Sequence, residues 1–248
     1  MRWPAEAIWE AVAPTLPGFT VEVLPEVDST NTELMRRARA GQGEPVLLVA
    51  ERQTAGRGRL GREWQSDLQS LTFSLGLPLH MADWSGLSLA VGVSVASSLH
   101  SDLQLKWPND VWLNDRKLAG ILIETATFDA IRHAVIGVGV NIGPREAGGL
   151  ATAPAWLQEL LPGIDAAQTL LRLAAPLVQA VRQFEARGLV PFLGPFHARD
   201  ALAGRDVTLS DGTVGQARGV DGSGALLVHT SAGLRKINSA EVSVRPRN

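Results

Sequence analysis

The most chemically capable stretch of this sequence is an arginine- and glycine-rich segment at residues 51–64, ERQTAGRGRLGREW. Planar guanidinium groups bind carboxylate and phosphate oxygens through paired hydrogen bonds, and glycine lets the backbone approach a ligand closely. Arg57 and Arg59 are two residues apart, so in an extended loop they would face the same side. Together with Arg62, they predict a ligand that carries several anionic oxygens.

The same segment admits three other interpretations. Gly56, Gly58 and Gly61 satisfy the GxGxxG pattern, but a dinucleotide-binding fold needs its first glycine directly after a strand and a helix at the third, and neither is predicted here. A solvated basic loop is the plain structural alternative. The arginines beside Trp64 would also suit a nucleic-acid contact, although the formal net charge of -2 and the lack of a second basic run argue against it.

A second group of chemically capable residues surrounds a predicted hairpin at residues 105–124, LKWPNDVWLNDRKLAGILIE. Its members are Lys106, Asn109, Asp110 and Lys117. Turns require proline, asparagine and aspartate in any case, but that need does not account for Lys117. This lysine begins a strand whose next residues, 118–123, are mostly apolar, so we expect its ammonium at the edge of a buried sheet. A cation there would neutralise oxygens that gain charge in a transition state.

Two smaller sets of polar residues stand at predicted element ends. Ser29, Thr30 and Asn31 begin a helix, and Asn141 lies at the end of a strand. Capping alone explains the first two, but hydroxyls and amides at a helix start can equally hold a polar or anionic ligand group. The chain has no cysteine, and its five histidines lack metal-ligand spacing. We therefore assign no metal-binding residues and expect neither disulfides nor thiolate catalysis.

The elements that must position these residues form an α+β pattern. Predicted strands span residues 21–24, 46–50, 71–77, 111–113, 117–125 and 134–142, and predicted helices span residues 29–40, 86–99 and 170–187. Thr30 and Glu33 are expected to form a capping box, Asn114-Asp115 to make the hairpin turn, and Gly188 to end the last helix. Because the strands follow one another closely, the sequence predicts a mixed, mainly antiparallel sheet.

The texture of the chain changes near Leu202. Short strands separated by glycine-containing turns follow it, which is typical of a compact β-barrel. We therefore predict two domains, residues 1–202 and residues 203–248. The 23 basic and 25 acidic residues give no global attraction to DNA or to an anionic membrane, and no signal peptide or membrane span is predicted. These features favour a cytoplasmic protein.

Four ordered motifs give the chain a family resemblance. They are STN at residues 29–31, GRGRLGREW at 56–64, KWPNDVWLNDRKLAGILIE at 106–124 and GVGVNI at 137–142. Together they resemble the biotin protein ligases, also called biotin–acetyl-CoA-carboxylase ligases. The match runs from about residue 28 to the end of the sequence, and residues 65–71 depart from it because they lack the family's glycine-rich continuation. The resemblance implies a catalytic domain similar to class II aminoacyl-tRNA synthetases, followed by an SH3-like barrel.

The resemblance also implies a reaction. The carboxylate of biotin attacks the α-phosphate of MgATP, pyrophosphate leaves, and the biotinyl-AMP anhydride then acylates a lysine of a biotin carboxyl carrier protein. The implied biotin-binding residues are Ser29, Thr30, Asn31, Gln53, Arg57, Gly58, Arg59, Lys117 and Gly120. The implied ATP-binding residues are Arg59, Arg62, Trp64, Asn109 and Asn141. Arg59 and Lys117 are expected to be catalytic, and Asp110 to contact a metal ion or orient a lysine.

Further expectations concern partners and alternatives. About 28 residues precede the matching region, fewer than the roughly 60 that a helix-turn-helix domain needs, so we expect a monofunctional ligase that does not bind DNA. A homodimer is compatible with the resemblance. A lipoate ligase on a related fold is the alternative enzyme, but the KWPND and RKLAGIL segments resemble the biotin branch.

Overall fold

A seven-stranded mixed sheet carries the motifs that the sequence singles out. The computed structural model describes residues 2–67, 69–81, 83–128, 131–145, 152–238 and 244–246. The strands of this sheet are β1 (Thr20–Val27), β2 (Val46–Gln53), β3 (Ser70–Pro78), β4 (Gln104–Lys106), β5 (Asp110–Leu113), β6 (Arg116–Phe128) and β7 (Ile131–Asn141). Their order is β1-β2-β3-β7-β6-β5-β4. Only β1 and β2 pair in parallel among these neighbours, which confirms the predicted mixed, mainly antiparallel sheet.

Helices cover both faces of the large sheet. They are α1 (Ala5–Val12), α2 (Thr30–Arg39), α3 (Leu87–Leu99), α4 (Ala166–Arg187) and α5 (Val190–His197). Leu47 and Val49 of β2 belong to the main apolar core with α1, α3 and α4, whereas Leu48 belongs to a second cluster with Leu34 of α2. Since alternate residues of a strand point to opposite faces, α2 lies on the face opposite α1, α3 and α4. Burial on both sides explains why β2 and β3 are apolar along most of their length.

Several predicted elements are present with small changes in their bounds. The hairpin of β5 and β6 turns at Asn114 and Asp115, whose φ angles of 49° and 60° are those of a tight two-residue turn. Helix α3 is the predicted buried helix, and α4 ends at Gly188, where φ is 62°. A glycine accepts this left-handed value without strain, so its place as the helix stop is confirmed.

One sequence expectation about the fold was wrong, and two helices were missed. Helices α1 and α5 were not predicted: α1 is only eight residues long, and α5 contains two prolines in its eight residues. The capping box of Thr30 with Glu33 does not form, because Thr30 is already the first residue of α2 and Ser29 is its cap, which accepts a hydrogen bond from the Thr32 amide. Glu33 instead forms ion pairs with Arg36 and Arg37.

A second, five-stranded sheet follows α5. Its strands are β8 (Asp206–Leu209), β9 (Val214–Val220), β10 (Leu226–Thr230), β11 (Gly233–Ile237) and β12 (Val244–Pro246), in the antiparallel order β11-β10-β9-β8-β12. The texture change near Leu202 therefore coincides with the start of a new sheet. In the part of the chain that the structure describes, no helix is long and apolar enough to span a bilayer.

The joint between the two sheets combines backbone pairing with side-chain contacts. Leu105 of β4 donates its amide to the Arg199 carbonyl, and its own carbonyl accepts from the Ala201 amide. The indole of Trp107 donates to the Gly224 carbonyl at 3.0 Å. Asp200 lies in this joint, where one carboxylate oxygen accepts from the Leu202 amide and the other is buried without a partner among the described residues. Burial raises the pKa of Asp200.

Candidate active site

A cavity of about 530 Å³ opens on the α2 side of the large sheet. Every residue to which the sequence assigns a ligand role lines it, which brings four separate motifs to one place. These residues are Ser29, Thr30, Asn31, Gln53, Arg57, Gly58, Arg59, Arg62, Trp64, Asn109, Asp110, Lys117, Gly120 and Asn141. The sequence analysis did not identify some of the other lining residues. They include Phe73, Trp112 and Arg145 and, from the second sheet, Arg205 and Arg245.

One end of the cavity is an uncharged polar network at the start of α2. The amide and hydroxyl of Thr30 both donate to Gln53 Oε1, at 2.7 and 3.1 Å. Ser74 Oγ lies 2.7 Å from both Thr30 Oγ1 and Asn31 Oδ1. Asn31 Nδ2 in turn donates to the Leu122 carbonyl and to Glu124. The network holds these side chains in fixed orientations, and Ser74, which completes it, was missed because a serine in an apolar strand carries no pattern of its own.

The floor of the cavity is made of glycines from two adjacent strands. Gly139 of β7 pairs with Gly120 of β6, and Gly137 lies two residues before Gly139 on the same face. A Cβ atom at Gly137 would lie 2.2 Å from Asn31 Oδ1, and one at Gly139 would lie 2.4 Å from the Trp64 ring. Both distances are far below van der Waals contact, so a larger residue at either position would displace the Asn31 amide or the Trp64 ring. The GVGVNI motif therefore serves close packing beneath the cavity.

The arginine segment is folded back on itself, so the expectation of an extended loop was wrong. Gly58 donates its amide to the Arg62 carbonyl at 2.7 Å, and residues Arg59–Gly61 form a short 3-10 turn. Leu60 and Gly61 take φ angles of 56° and 71° at its tip. Arg57 and Arg59 nevertheless both line the cavity.

The two arginines contact different partners. Arg57 pairs with Glu124, the carboxylate that also accepts from Asn31. Arg59 Nη1 donates to Asn109 Oδ1 at 3.2 Å, while Asn109 Nδ2 donates to the Ile121 carbonyl at 2.7 Å. Burial and the neighbouring Arg62 lower the pKa of Arg59, although Asp110 opposes them. Arg57 thus anchors the segment to β6, and Arg59 is directed over the cavity by Asn109.

Lys117 lies near the start of β6 and its ammonium is at the centre of the cavity wall. Its Nζ is 2.8 Å from Asp110 Oδ1, with 32% of the lysine side chain exposed, and lies 5.7 Å from the centroid of the Trp64 ring. The sequence placed this cation at the edge of a buried sheet; it lies near the start of β6, which is an interior strand between β7 and β5. Asp110 of β5, whose register partner in β6 is Gly120, orients the Lys117 ammonium through this ion pair.

Lys106 is a third cation that sequence reasoning left without a role. It is half-buried in β4, and its Nζ lies 5.7 Å from the centroid of the Trp112 ring. Burial lowers the pKa of Lys106 to about 8, with smaller contributions from Lys117, Arg62 and Arg59, while Asp110 acts in the opposite direction. A cation that is partly deprotonated in the free protein would regain its proton when an anion binds beside it.

Buried polar atoms without a partner gather around the same cavity. Among the described residues, four of them line it: Trp64 Nε1, Trp112 Nε1, Asn141 Oδ1 and Arg145 Nε. Asn141 uses its Nδ2 for the carbonyls of Lys117 and Ala155. An unsatisfied buried donor or acceptor costs about 1–3 kcal/mol, so these groups favour a ligand that supplies complementary polar atoms.

The second sheet closes part of the cavity. Arg205, at its start, pairs with Asp115 in the turn between β5 and β6, and Arg245 of β12 also lines the wall. Among the described residues, no group of three or more histidine, cysteine or acidic side chains is arranged to hold a metal ion.

Comparisons with known proteins agree with this geometry. Residues 23–141 match the model of the Biotin/lipoate A/B protein ligase family, and residues 204–245 match that of the Biotin protein ligase C terminal domain. The chain is 36% identical over 245 residues to the Bifunctional ligase/repressor BirA of Escherichia coli, covering 93% of this chain and 75% of that protein. It is 34% identical to the Biotin--[acetyl-CoA-carboxylase] ligase of Paracoccus denitrificans, covering 89% and 98%.

A solved structure extends the similarity to three dimensions. The biotin protein ligase of Aquifex aeolicus, in complex with biotin and ATP, superposes with a TM-score of 0.77 at 30% identity, over 92% of this chain and 99% of that one.

Proposed function

The chain belongs to the biotin protein ligase family, and we propose that it is an ATP-dependent ligase that joins biotin to a lysine of a biotin carboxyl carrier protein, through biotinyl-AMP. The observation that carries this function is that one cavity gathers three kinds of group. They are an uncharged polar network, the two cations Arg59 and Lys117, and the unsatisfied polar atoms of Trp64 and Asn141. This set suits a neutral ring, a pair of anionic groups to be joined, and a nucleoside.

The biotin end is the network above the glycine floor. Ser29, Thr30, Asn31 and Gln53 offer hydroxyl and amide groups without net charge, which suits the ureido group of biotin. Gly120 and Gly58 also line the cavity and place no side chain in it. Because the network is already hydrogen-bonded in the free protein, little side-chain entropy remains to be lost when biotin binds.

In this proposal, the adenylation step takes place beside Arg59 and Lys117. The biotin carboxylate attacks the α-phosphorus, a new C–O–P linkage forms, and the bond to the bridging oxygen of pyrophosphate breaks with its electron pair on the leaving group. Arg59 and Lys117 hold the carboxylate and α-phosphate oxygens together and stabilise the charge that develops on them. Asp110 orients Lys117 through its 2.8 Å ion pair.

The nucleotide side comprises Arg62, Trp64 and Asn141. Trp64 and Asn141 each keep a buried polar atom for the nucleotide, and Arg62 adds a positive charge near the phosphates. Asn109, which the family resemblance places among the ATP contacts, has both ends of its amide engaged by Arg59 and Ile121. We therefore assign Asn109 to positioning Arg59.

Transfer follows in the same cavity. The neutral amine of the acceptor lysine attacks the carbonyl carbon of the anhydride, AMP leaves with the electron pair, and the amine proton is released. Mg²⁺ enters with ATP, and Asp110 is an acidic side chain on the cavity wall that could reach it.

We extend the proposal to a class II synthetase-like catalytic domain at residues 1–202, an SH3-like barrel at residues 203–248, a cytoplasmic location and the capacity to form a homodimer.

Biotin-dependent exchange of labelled pyrophosphate into ATP tests this function directly. We expect exchange with biotin, and subsequent biotinylation of a carrier domain. If lipoate or octanoate supported exchange and biotin did not, the chain would instead be a lipoate ligase. If the protein bound DNA tightly and in a strongly salt-dependent way but turned over no ATP, the nucleic-acid interpretation would replace it.

A further inference from the structure

Arg145 is a buried arginine on the cavity wall that the proposed steps do not use. It lies just after β7, and 10% of its side chain is exposed. Its Nη1 donates to the Gln65 carbonyl at 2.9 Å, and its Nη2 donates to Asp67 Oδ1 at 2.7 Å. Both acceptors belong to the stretch that follows the arginine segment, residues 65–67 and 69–70, which we call the docked turn. A guanidinium that bonds to two acceptors through separate nitrogens fixes the orientation of that stretch as well as its distance.

Backbone hydrogen bonds also join the docked turn to the end of β7. The Gln69 carbonyl accepts from the amides of Ile142 and Gly143, at 2.8 and 3.1 Å. These bonds hold the part of the turn that is farther along the chain from the arginine segment, whereas Arg145 holds the part next to it. Removal of the Arg145 side chain should therefore leave the turn attached at Gln69 but release its junction with the arginine segment.

Trp64 lies at that junction. Its amide donates to the Gly56 carbonyl at 2.9 Å, and its ring covers Gly139, where a Cβ atom would lie 2.4 Å from the ring. The Lys117 ammonium lies 5.7 Å from the centroid of the same ring. The position of the ring is thus set on one side by Gly56 and on the other by the next carbonyl in the chain, which Arg145 holds.

Arg145 is linked to the Lys117 ammonium through two intermediates, the docked turn and the Trp64 ring. We propose that Arg145 is a positioning residue, which holds the Trp64 ring on the glycine floor and so keeps the Lys117 ammonium beside the reacting groups. Arg57 anchors the first part of the arginine segment to β6, and Arg145 anchors its end to the end of β7. The docked turn falls within residues 65–71, where the sequence departs from the family pattern. This proposal rests on the proposed ligase function.

Burial makes Arg145 dependent on its acceptors. Its Nε is buried without a partner among the described residues, and the carboxylate with which it pairs, Asp67, is 59% exposed. A buried charge that loses one of its partners is costly, because water does not replace the lost contact. Loss of the Asp67 carboxylate should therefore weaken the hold of Arg145 on the docked turn, although the Gln65 carbonyl remains.

Formation and release of the adenylate test the proposal. In Arg145→Met, we expect biotinyl-AMP to form about tenfold more slowly and to leave the protein about tenfold faster, because the Trp64 ring and the Lys117 ammonium are no longer held in place. The KM for biotin should stay within about twofold, since the side chains of the polar network bond to one another and to β6. The release rate is a property of the loaded complex, so it does not depend on how much of the variant is folded.

Variants of Asp67 show whether Arg145 acts through the docked turn. Asp67→Ala should speed adenylate release by about threefold in the wild-type background and add nothing further in Arg145→Met, since contacts within one network are not additive. Because Asp67 is largely exposed, Asp67→Ala also serves if Arg145→Met does not fold. Arg145→Lys should recover part of the loss, because an ammonium can reach one of the two acceptors.

Arg182→Met is the matched control. Arg182 lies on α4, is 43% exposed and pairs with Glu185, so both rates should stay at their wild-type values. An unchanged release rate in Arg145→Met would overturn the proposal. Full additivity of Arg145→Met and Asp67→Ala would overturn it as well, because Arg145 would then act on the ligand directly and not through the docked turn.

Hydrogen exchange of the ligand-free protein tests the same contact without any activity. The Trp64 amide should exchange about tenfold faster in Arg145→Met than in the wild type, whereas the Val138 amide, in the buried middle of β7, should not change. Unchanged protection of the Trp64 amide would contradict the proposal. If that amide behaved as expected but the wild type showed no biotin-dependent exchange of pyrophosphate into ATP, the ligase function would fail while the hold of Arg145 on Trp64 remained.

Discussion

Lys117 is held by two contacts of different kinds, an ion pair with Asp110 and the face of the Trp64 ring. Neither contact contributes much to folding, because the ammonium is partly solvated and exposed ion pairs are worth at most about 1 kcal/mol. Their value lies in fixing a cation where charge gathers during adenylation. At the residue scale, the chemistry and the stability of this protein are therefore carried by different side chains.

Lys117→Ala separates these two contributions. We expect biotinyl-AMP formation to slow by about 100- to 1000-fold, as when a charge-stabilising donor is removed from an active site. The free energy of unfolding should change by less than about 1 kcal/mol. Single-turnover formation of adenylate and urea denaturation measure the two effects, with Lys236→Ala as the control. Normal adenylate formation by folded Lys117→Ala would remove this lysine from the mechanism.

The arginine segment shows how an element is positioned by contacts made at a distance in sequence. Its tip is closed by its own 3-10 turn, but its direction is set by Arg57 pairing with Glu124, 67 residues away. The same carboxylate accepts from Asn31 in the biotin network. Glu124 thus ties the segment that covers the cavity to the side chains that line its far end.

Arg57→Ala should therefore weaken the attachment of the arginine segment over the cavity. We expect escape of biotinyl-AMP into solution to rise by about tenfold, the equivalent of about 1.4 kcal/mol of lost anchoring. The rate of adenylate release from the isolated complex is the measurement. Arg52→Ala is the control, since Arg52 lies in the part of the same segment that belongs to β2 and forms an exposed ion pair with Glu26. An unchanged release rate in Arg57→Ala would show that other contacts hold the arginine segment over the cavity.

How much of this could be predicted from the sequence varies with the kind of signal. Elements with strong local patterns were predictable: the buried helix α3, the Asn114-Asp115 turn and the stop at Gly188. Those cavity-lining residues that lie in motifs were also predictable, because motifs mark chemically distinctive types, whereas Arg145, Arg205 and Arg245 lie outside the motifs and were missed. Their final positions were not. Nothing local indicates that Arg57 reaches Glu124 or that Ser74 joins Thr30 to Asn31, because these contacts exist only after the sheet has formed.

Lys106 illustrates the same limit for a single side chain. Its place in the KWPND motif was visible, but its environment depends on packing against Trp112 and on three cations from other elements. A lowered pKa cannot be read from a motif, since burial and neighbouring charge come from the tertiary structure.

At the scale of the whole molecule, backbone pairing at Leu105 and the hydrogen bond donated by the Trp107 indole connect the two sheets. The second sheet also contributes Arg205 and Arg245 to the cavity wall. The two sheets are therefore coupled in structure. We expect substitutions in the joint to change the free energy of unfolding of the whole protein.

Asp200 makes that coupling dependent on pH. Because burial raises its pKa in the folded chain above the ordinary value of 3.8, the native state holds this proton more tightly than the unfolded state does. Asp200 therefore favours the native state in acid, and this contribution is lost as pH rises from 3.8 through the raised pKa.

Urea denaturation of wild-type protein and of Asp200→Asn across this pH range tests the expectation. The wild type should lose stability relative to Asp200→Asn as pH rises toward neutrality. A constant difference between wild type and Asp200→Asn would show that Asp200 does not sense pH in this way.

The distribution of amines in this chain has a consequence for self-labelling. Its lysines are Lys106, Lys117 and Lys236 alone, and arginine supplies all the other Lys/Arg positions. Two of the three are inside the cavity, and Lys236 is paired with Asp221. A mixed anhydride that escapes therefore meets an enzyme surface with few competent nucleophiles, because guanidinium groups do not accept the acyl group. The catalyst is in this sense a poor substrate for its own intermediate, and acylation is directed to other proteins.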